Sequence, residues 1–429
     1  MRMDPGLSEL REPAMPAETG LPFVVGFFFS FRLFIMLLFV RLLGADNETG
    51  VEISLVLNFV LLVFAAFQTI GAGGRENARM LHLGSVRWVA LFLGFSGCSL
   101  LWSVAASLPA AAVFWCAMAA DVGIVVLLLR VGPVKEVAIS LIKGYILGAC
   151  AVAIIAWLLP AQSDLRLGDE ELLGPNQIGY LCAFALFFVQ YLMREKAGKW
   201  GLAAFILAVT LLRSLSKTSI IAFLVAESFL LLRDKSISRR TKVMLVLASI
   251  AVGIAFSSLL TSYFDIYTST GNGPETLTGR LTIWAVILAE AVKQPWIGHG
   301  FHSVWMVIPP FGEFEARHAH NELIQQFYAY GVVGIGMMVG LYVSFYRQIR
   351  RLARGPLRTL LCAFLIFVLV RGLTDTEAFD LSLPLWAIVM LSLLIENACT
   401  TSYHTATVAI KQLEWTSSAS SSLPIPTDL

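Results

Sequence analysis

The chain has 429 residues, of which 57% are hydrophobic and 14% charged, against roughly 45–50% apolar and about 25% charged in an ordinary soluble domain. That balance excludes a soluble enzyme. The formal net charge of +2, from 31 basic and 29 acidic residues, excludes the broad basic field that a nucleic-acid binder uses, so nucleic acid is not expected as a partner.

Residues 1–20 are polar and carry Pro5, Pro13 and Pro16, which predicts a disordered tail. The apolar run that follows is too long for a cleaved signal peptide and lacks a small-residue cleavage site, so it is expected to be retained as the first span. Runs long enough to cross a bilayer as helices then recur at 22–43, 52–71, 88–106, 109–130, 137–159, 176–193, 200–214, 217–232, 243–262, 323–346, 358–372 and 381–397, with 200–214 and 217–232 the shortest. The fold class is therefore an all-α polytopic integral membrane protein with about 12 transmembrane helices. Its expected organisation is helices 1–9 over 21–262, a long loop over 263–322, helices 10–12 over 323–397 and a second disordered tail over 398–429. Cys98, Cys116, Cys150, Cys182, Cys362 and Cys399 all lie in apolar runs or at their ends, where they read as packing residues and not as a disulfide framework or a thiolate metal site.

Basic residues set the orientation, because cytoplasmic loops collect Lys and Arg. Alternate loops hold Arg75 to Arg87, Arg130 and Lys135, Arg194 to Lys199, Arg233 to Lys242, and Arg347 to Arg358. Most of the 31 basic residues thus fall on one side, which is expected to be cytoplasmic and to hold both termini. The exceptions on the outer side are Arg166, Arg213, Lys217, Arg280, Lys293, Arg317 and Arg371. Arg166, beside Asp164 and Asp169, reads as a solvated loop charge, and Lys293 as a cation ending a helix. Arg280, Arg317 and the pair Arg213 and Lys217 read as functional, since charges at a membrane mouth mark ligand paths. Arg371 is followed by Asp375, Glu377 and Asp380, either a solvated loop or groups that position acceptor hydroxyls.

The single long connection, 263–322, is where chemistry is expected. Tyr267 to Thr278 is polar and turn-rich, and Arg280 then opens an amphipathic stretch too short to span, closed by Pro295. This predicts an interfacial helix with Thr278 as its N-cap and Gly279 allowing close approach of a ligand. Free backbone N–H groups with an Arg in the first turn suit a phosphate. Four of the six histidines, His299, His302, His318 and His320, fall in the same loop. Three readings apply to them: a metal site, which a neighbouring Arg317 opposes; loop histidines with ordinary hydrogen bonds, which suits His299 and His302; and a general base, which suits His320 at the start of the tenth span.

At these residues the chain resembles the O-antigen ligases and the Wzy-type O-antigen and exopolysaccharide polymerases. The resemblance rests on Leu277-Thr278-Gly279-Arg280 with Trp284, on Gln294-Pro295-Trp296-Ile297-Gly298-His299-Gly300-Phe301 with Trp305, on His318-Ala319-His320-Asn321-Glu322-Leu323, and on Gly331-Val332-Val333-Gly334. Weaker matches are Leu101-Trp102-Ser103, Gly174-Pro175-Asn176 and Ser214-Leu215-Ser216-Lys217. What the resemblance implies is a membrane glycosyltransferase similar to the GT-C-like fold, needing no metal or other cofactor, in the bacterial inner membrane with its site in the long periplasmic loop. Its implied partners are an undecaprenyl-pyrophosphate-linked glycan donor, a glycan acceptor (a lipid-linked repeat or the lipid A core), the lipid bilayer and a chain-length regulator. Carried over by position, His320 is the implied base and Arg280 the implied pyrophosphate ligand. Lys217, Arg213, Arg317, His318, Asn321 and Arg371 are the expected substrate-binding residues. Lys217 stands where many members have Arg, keeping the charge and losing the planar two-point grip on phosphate. The motifs look closest to exopolysaccharide polymerases, with O-antigen ligase as the alternative. A secondary transporter fits the span count but not the single off-centre loop or the lack of a six-plus-six repeat.

Overall fold

The computed structural model describes residues 20–44, 46–71, 80–160, 162, 165–169, 172–235, 238–255, 257–258, 261–262, 277–307, 318–377 and 380–401. The N-terminal tail, the turn-rich stretch 267–276, Arg317 and the C-terminal tail beyond 401 lie outside the described residues.

The elements are helices: α1 (Gly20–Leu37, continued by a π-helical turn Leu38–Leu42), α2 (Asn47–Gly71), α3 (Gly84–Cys98), α4 (Leu108–Val131), α5 (Val134–Leu158), α6 (Pro175–Arg194), α7 (Gly201–Arg213), α8 (Lys217–Arg233), α9 (Arg239–Ala255), α10 (Leu277–Ala291), α11 (Glu322–Arg351), α12 (Pro356–Gly372) and α13 (Leu385–Thr401). Among the described residues seven, α1 to α6 and α11, are long and apolar enough to cross a membrane. The other expected spans form helices of 13 to 17 residues, with α7 the shortest. Apolar content marked where these helices lie, but their lengths are set by where the chain turns, as at Ser214 and Gly372. The last helix runs to Thr401, past the expected boundary at 397.

Aromatic packing centres the bundle. Trp386 of α13 stacks near Phe29 of α1 (centroids 4.7 Å), and Phe184 of α6 meets Tyr145 of α5 at 5.5 Å and Phe364 of α12 at 5.0 Å. Helices α1 and α5 touch backbone to backbone, as small-residue stripes allow in lipid. A Cβ on Gly144 would fall 2.0 Å from the Phe23 carbonyl oxygen. One ion pair inside the spans, Arg32 with Asp121 at 2.7 Å, ties α1 to α4.

The two ends of the bundle differ in charge. At one end Lys135 pairs with Glu195 (2.5 Å), Arg194 pairs with Asp234 (2.8 Å), and Arg194 also donates to the Pro356 carbonyl (2.7 Å). Helices α8 and α12 run antiparallel, because the end of α8 and the start of α12 line one cavity there. At the opposite end α11 begins at Glu322 and α12 finishes at Arg371 and Gly372, and beyond it Asp375, Thr376 and Leu381 to Leu383 are buried. The candidate residues converge at this second end.

Candidate active site

Helix α11 starts where Asn321, an N-cap, accepts a hydrogen bond from the Ile324 N–H (3.1 Å). The Asn321 amide donates to the Leu373 carbonyl (2.8 Å), so one residue fixes both the helix start and the turn after α12. His318 to His320 lead into this cap through a bend. Ala319 is fully buried; its N–H donates to Gln325 Oε1 (2.9 Å) and its carbonyl accepts from Trp284 Nε1 of α10 (2.8 Å). The Gln325 amide donates onward to the Glu377 carbonyl (2.7 Å). Three elements, α10, α11 and the segment after α12, therefore clamp the backbone on either side of His320.

His320 itself has φ +50°, a left-handed conformation that side chains beyond Cβ disfavour. Its Nδ1 lies 3.1 Å from Asp375 Oδ1, with side-chain exposures of 12% and 2%. A carboxylate only accepts, so the Nδ1 carries a proton, the tautomer in which Nε2 of a neutral ring is the acceptor. Asp375 is ionised for a physical reason. Burial opposes its charge, but the Arg371 guanidinium and the hydrogen bond from His320 outweigh burial and hold the carboxyl well below the usual carboxylate range.

Arg371, 2% exposed, closes the far side of this pair. Its Nη2 lies 2.9 Å from Glu377 Oε1 and 3.6 Å from Asp375 Oδ2, and its guanidinium carbon sits 3.9 Å from the Tyr180 ring centroid. The acidic segment after α12 is therefore a buried ion-pair cluster, which corrects its reading as a solvated loop. Arg371 Nε and Nη1 remain buried without a hydrogen-bond partner among the described residues, and so does Arg280 Nε. Arg280, in the first turn of α10, donates through Nη1 to the Thr374 carbonyl next to Asp375. Its helix starts at Leu277, one residue before Thr278, so Thr278 is not the cap.

His318 packs edge-on against His320, with ring centroids 4.2 Å apart. Burial, helped by His320, Arg371 and Arg280, pushes its pKa down to about 3, so the ring is neutral across the physiological range. The ligand atoms of His318, His320 and Asp375 lie within 4.8 Å of one another, a donor set with the composition of a metal site. The two arginines beside it disfavour a dication, and Asp375 is already engaged by Arg371 and His320.

The other predicted residues take different places. His299 stacks on Tyr328 (4.4 Å, 6°) with its Nδ1 3.3 Å from the Tyr328 carbonyl oxygen, a hydrogen bond of the kind expected, whereas His302 is held by ring stacking on Phe114 (5.4 Å, 14°). The segment around them docks into a break in α11: the Val332 N–H donates to the Pro295 carbonyl (2.8 Å) and the His299 N–H to the Tyr328 carbonyl (2.9 Å). Gly331 makes the break with φ +63°, and a Cβ there would lie 2.4 Å from the Trp296 carbonyl. The same loop catches the end of α3, where the Val104 N–H donates to the His299 carbonyl (3.0 Å) and Ser99 Oγ accepts from the Phe301 N–H (3.0 Å). Arg213 donates to the Leu165 carbonyl (2.6 Å), and Lys217 opens α8 after the Ser214–Ser216 turn. Ser216 Oγ of that turn donates to Asn176 Oδ1 at the start of α6 (3.0 Å). Arg213 and Lys217 flank the hairpin between α7 and α8, apart from the α10, α11 and α12 contacts described above. They share the His320 end of the bundle, since α8 and α12 are antiparallel. Arg166, expected as a solvated charge, is 5% exposed. Asp375 and Glu377 are what sequence reasoning did not bring to His320; their acidic spacing after an Arg was visible, and their burial was not.

The fold and the site together define a polytopic helical membrane protein with a histidine–carboxylate pair and two arginines gathered at one end. Residues 202–339 match the family model described as O-antigen ligase. The chain is similar to the O-antigen ligase of Pseudomonas aeruginosa, 26% identical over 200 residues, covering 46% of this chain and 47% of that protein. It is also similar to the exopolysaccharide production protein ExoQ of Rhizobium meliloti, 26% identical over 243 residues, covering 50% of this chain and 55% of that one. The matches thus span about half the length of these curated relatives. The resemblance read from the motifs is borne out.

Proposed function

We propose that this protein is a membrane glycosyltransferase that polymerises lipid-linked oligosaccharide repeat units into an O-antigen or exopolysaccharide. The observation that carries the reading is the His320–Asp375 pair set beside Arg280 and Arg371, with the unspent donors Arg371 Nε, Arg371 Nη1 and Arg280 Nε. The donor is a glycan on undecaprenyl pyrophosphate, and the reaction is a single displacement with inversion. Nε2 of His320 takes the proton from an acceptor-sugar hydroxyl as its oxygen bonds to the anomeric carbon of the donor. The bond from that carbon to the pyrophosphate oxygen breaks, and the electron pair leaves with the pyrophosphate. Asp375 fixes the tautomer and stabilises the imidazolium that forms, the division of labour a buried carboxylate gives a catalytic histidine. Arg280 and Arg371 meet the charge that grows on the leaving group, with Lys217 and Arg213 along the path of the donor. His318 and Asn321 shape the acceptor side. The cations supply the charge stabilisation for which other transferases use a metal ion.

In this reading the 13- to 17-residue helices also cross the bilayer, giving twelve spans of a GT-C-like arrangement. The protein sits in the bacterial inner membrane with the basic end cytoplasmic and the His320 end periplasmic, and a chain-length regulator sets product size. The relative described as an exopolysaccharide production protein supports a polymerase. A second reading, O-antigen ligase acting on the lipid A core, is favoured by the description of the matching family model.

His320→Ala tests the mechanism in cells lacking the native gene. The expected outcome is loss of polymer with single repeat units left on the carrier, since general-base catalysis is worth roughly 10²–10⁴ in rate. Near-normal polymer from a variant inserted at wild-type level would overturn it. A product pattern of long chains still on the carrier lipid would select the ligase reading.

A further inference from the structure

Helices α11 and α12, with the end of α8, line an open groove of about 1250 Å³ that runs along the bundle from end to end. Its walls are apolar, with Val339, Ile366 and Leu369 facing it. One end reaches Glu322, Gly372 and Leu373, directly behind the His320 cluster. Glu322 is occupied there, accepting from the Tyr342 hydroxyl and the Ser382 N–H, both at 2.8 Å. The other end is ringed by Arg233, Lys235, Arg350, Arg354 and Arg358.

Among the described residues no carboxylate balances that basic ring. The carboxylate among the lining residues at this end, Asp234, is buried and paired with Arg194. Arg233, Lys235 and Arg354 are exposed and make no ion pair among the described residues. Loop cations alone would be scattered over the membrane surface. Here they share one rim with an apolar trough, so a phosphate held by the ring has a hydrocarbon-compatible channel starting at its feet.

We propose that this groove is a binding site for an anionic phospholipid of the leaflet at the basic end. The headgroup phosphate lies on Arg233, Lys235 and Arg354, and an acyl chain lies along α11 and α12 toward Leu373. The glycan donor of the proposed function approaches from the opposite end, where its pyrophosphate meets Arg280 and Arg371. The lipid is therefore a second ligand and not that donor. Because the Leu373 carbonyl accepts from Asn321 beside His320, an occupied groove braces the wall of the candidate active site. The proposal itself stands on the groove and its rim, whichever reaction the site performs.

The test uses the purified full-length protein and native mass spectrometry with phosphatidylglycerol or phosphatidylcholine of identical acyl chains. Phosphatidylglycerol is expected to be retained roughly five- to tenfold better than phosphatidylcholine. The variant R233Q/K235Q/R354Q is expected to abolish the preference, and R233K/R354K to keep most of it. Equal retention of the two lipids, or an undiminished preference in the neutral variant, would overturn the proposal. So would full displacement by soluble glycerol phosphate, which has no acyl chain to seat. A second readout needs no variant: Cys362 lines the groove, and its modification by an apolar maleimide is expected to slow severalfold in phosphatidylglycerol relative to phosphatidylcholine. An unchanged rate at Cys362 counts against the site. Polymer sizing in cells reports on the His320 mechanism separately, so the two readings fail independently.

Discussion

His320 is held at φ +50°, a strained backbone position of a kind that costs about 1–3 kcal/mol and persists when surrounding contacts over-determine it. Those contacts are visible here: the Asn321 cap, the buried Ala319 and the Asp375 carboxylate all fix one ring orientation. Asp375→Asn keeps the shape and removes the charge that sets the Nδ1 proton. It is expected to lower glycan transfer on the order of 10²-fold or more while protein level and thermal stability change far less; transfer of labelled sugar from a lipid-linked donor measures it. Asp380 makes a separate prediction. Burial, despite hydrogen bonds from the Leu381 and Leu385 N–H groups, pushes its pKa up to about 7 from an ordinary 3.8. The folded state then holds a proton that the unfolded state has released, so stability falls as pH rises from about 4 to about 7 and stays lower above. Asp380→Asn retains the acceptor for those N–H groups and removes the titration. Its stabilising effect is expected to grow between pH 5 and pH 8 by on the order of 1–3 kcal/mol, seen in thermal unfolding of the detergent-solubilised protein; a pH-independent offset would count against it. At this scale sequence reading singled out His320, Arg280 and Arg371, since histidines and arginines on the outer side stand out against apolar surroundings. It did not pair His320 with Asp375, because a partner 55 positions away leaves no local pattern.

Helix α11 is two helices joined at Gly331, and the loop 295–300 stitches into the gap with four main-chain hydrogen bonds. The Pro-Trp-Ile-Gly-His-Gly-Phe motif therefore builds the scaffold and not the chemistry: its carbonyls and N–H groups replace those α11 gives up at the break. Gly331→Ala adds a left-handed strain and a Cβ 2.4 Å from the Trp296 carbonyl, and is expected to cost more than 1 kcal/mol with a matching fall in melting temperature. Gly336→Ala, one turn further on with nothing within 4 Å of its Cβ, is expected to be neutral or slightly stabilising. Equal effects would remove the docking argument. The break was legible in the sequence as a Gly-Val-Val-Gly turn, and the docking partner was not, since nothing in hydropathy links residues 295–300 to it. Helix α10 shows the reverse case, where amphipathic spacing and Pro295 placed the element within a few residues and misassigned only its cap.

Across the whole molecule charge is sorted by end. Arg194, Arg233, Arg350 and Arg358 gather at one end, where Arg233, Arg350 and Arg358 rim one cavity and Arg194 pairs with Asp234, while Arg280, Arg371 and His320 gather at the other. In the proposed orientation the positive-inside bias puts the basic end in the cytoplasm. A membrane-impermeant maleimide is expected to label Trp296→Cys, a position 71% exposed, in intact spheroplasts, and to label Arg354→Cys only after permeabilisation, each relative to the parental chain. Labelling with the opposite sidedness would invert the orientation and remove the periplasmic assignment of the site. The alternation of apolar runs and basic loops made this arrangement legible from composition alone. Helix length was not, because a run of apolar residues does not say where the chain turns, as it does after Gly372.

The cluster is assembled from two parts of the chain with different relationships to known proteins. His320 and Arg280 lie within residues 202–339, the stretch matched by the family model, whereas Asp375, Glu377 and Arg371 come from beyond it. Transplanting the matched stretch into a relative would deliver the histidine to a foreign carboxylate. A working chimera of this protein therefore has its natural cut points outside the helix pair, with residues 371–382 carried along as an inseparable cassette.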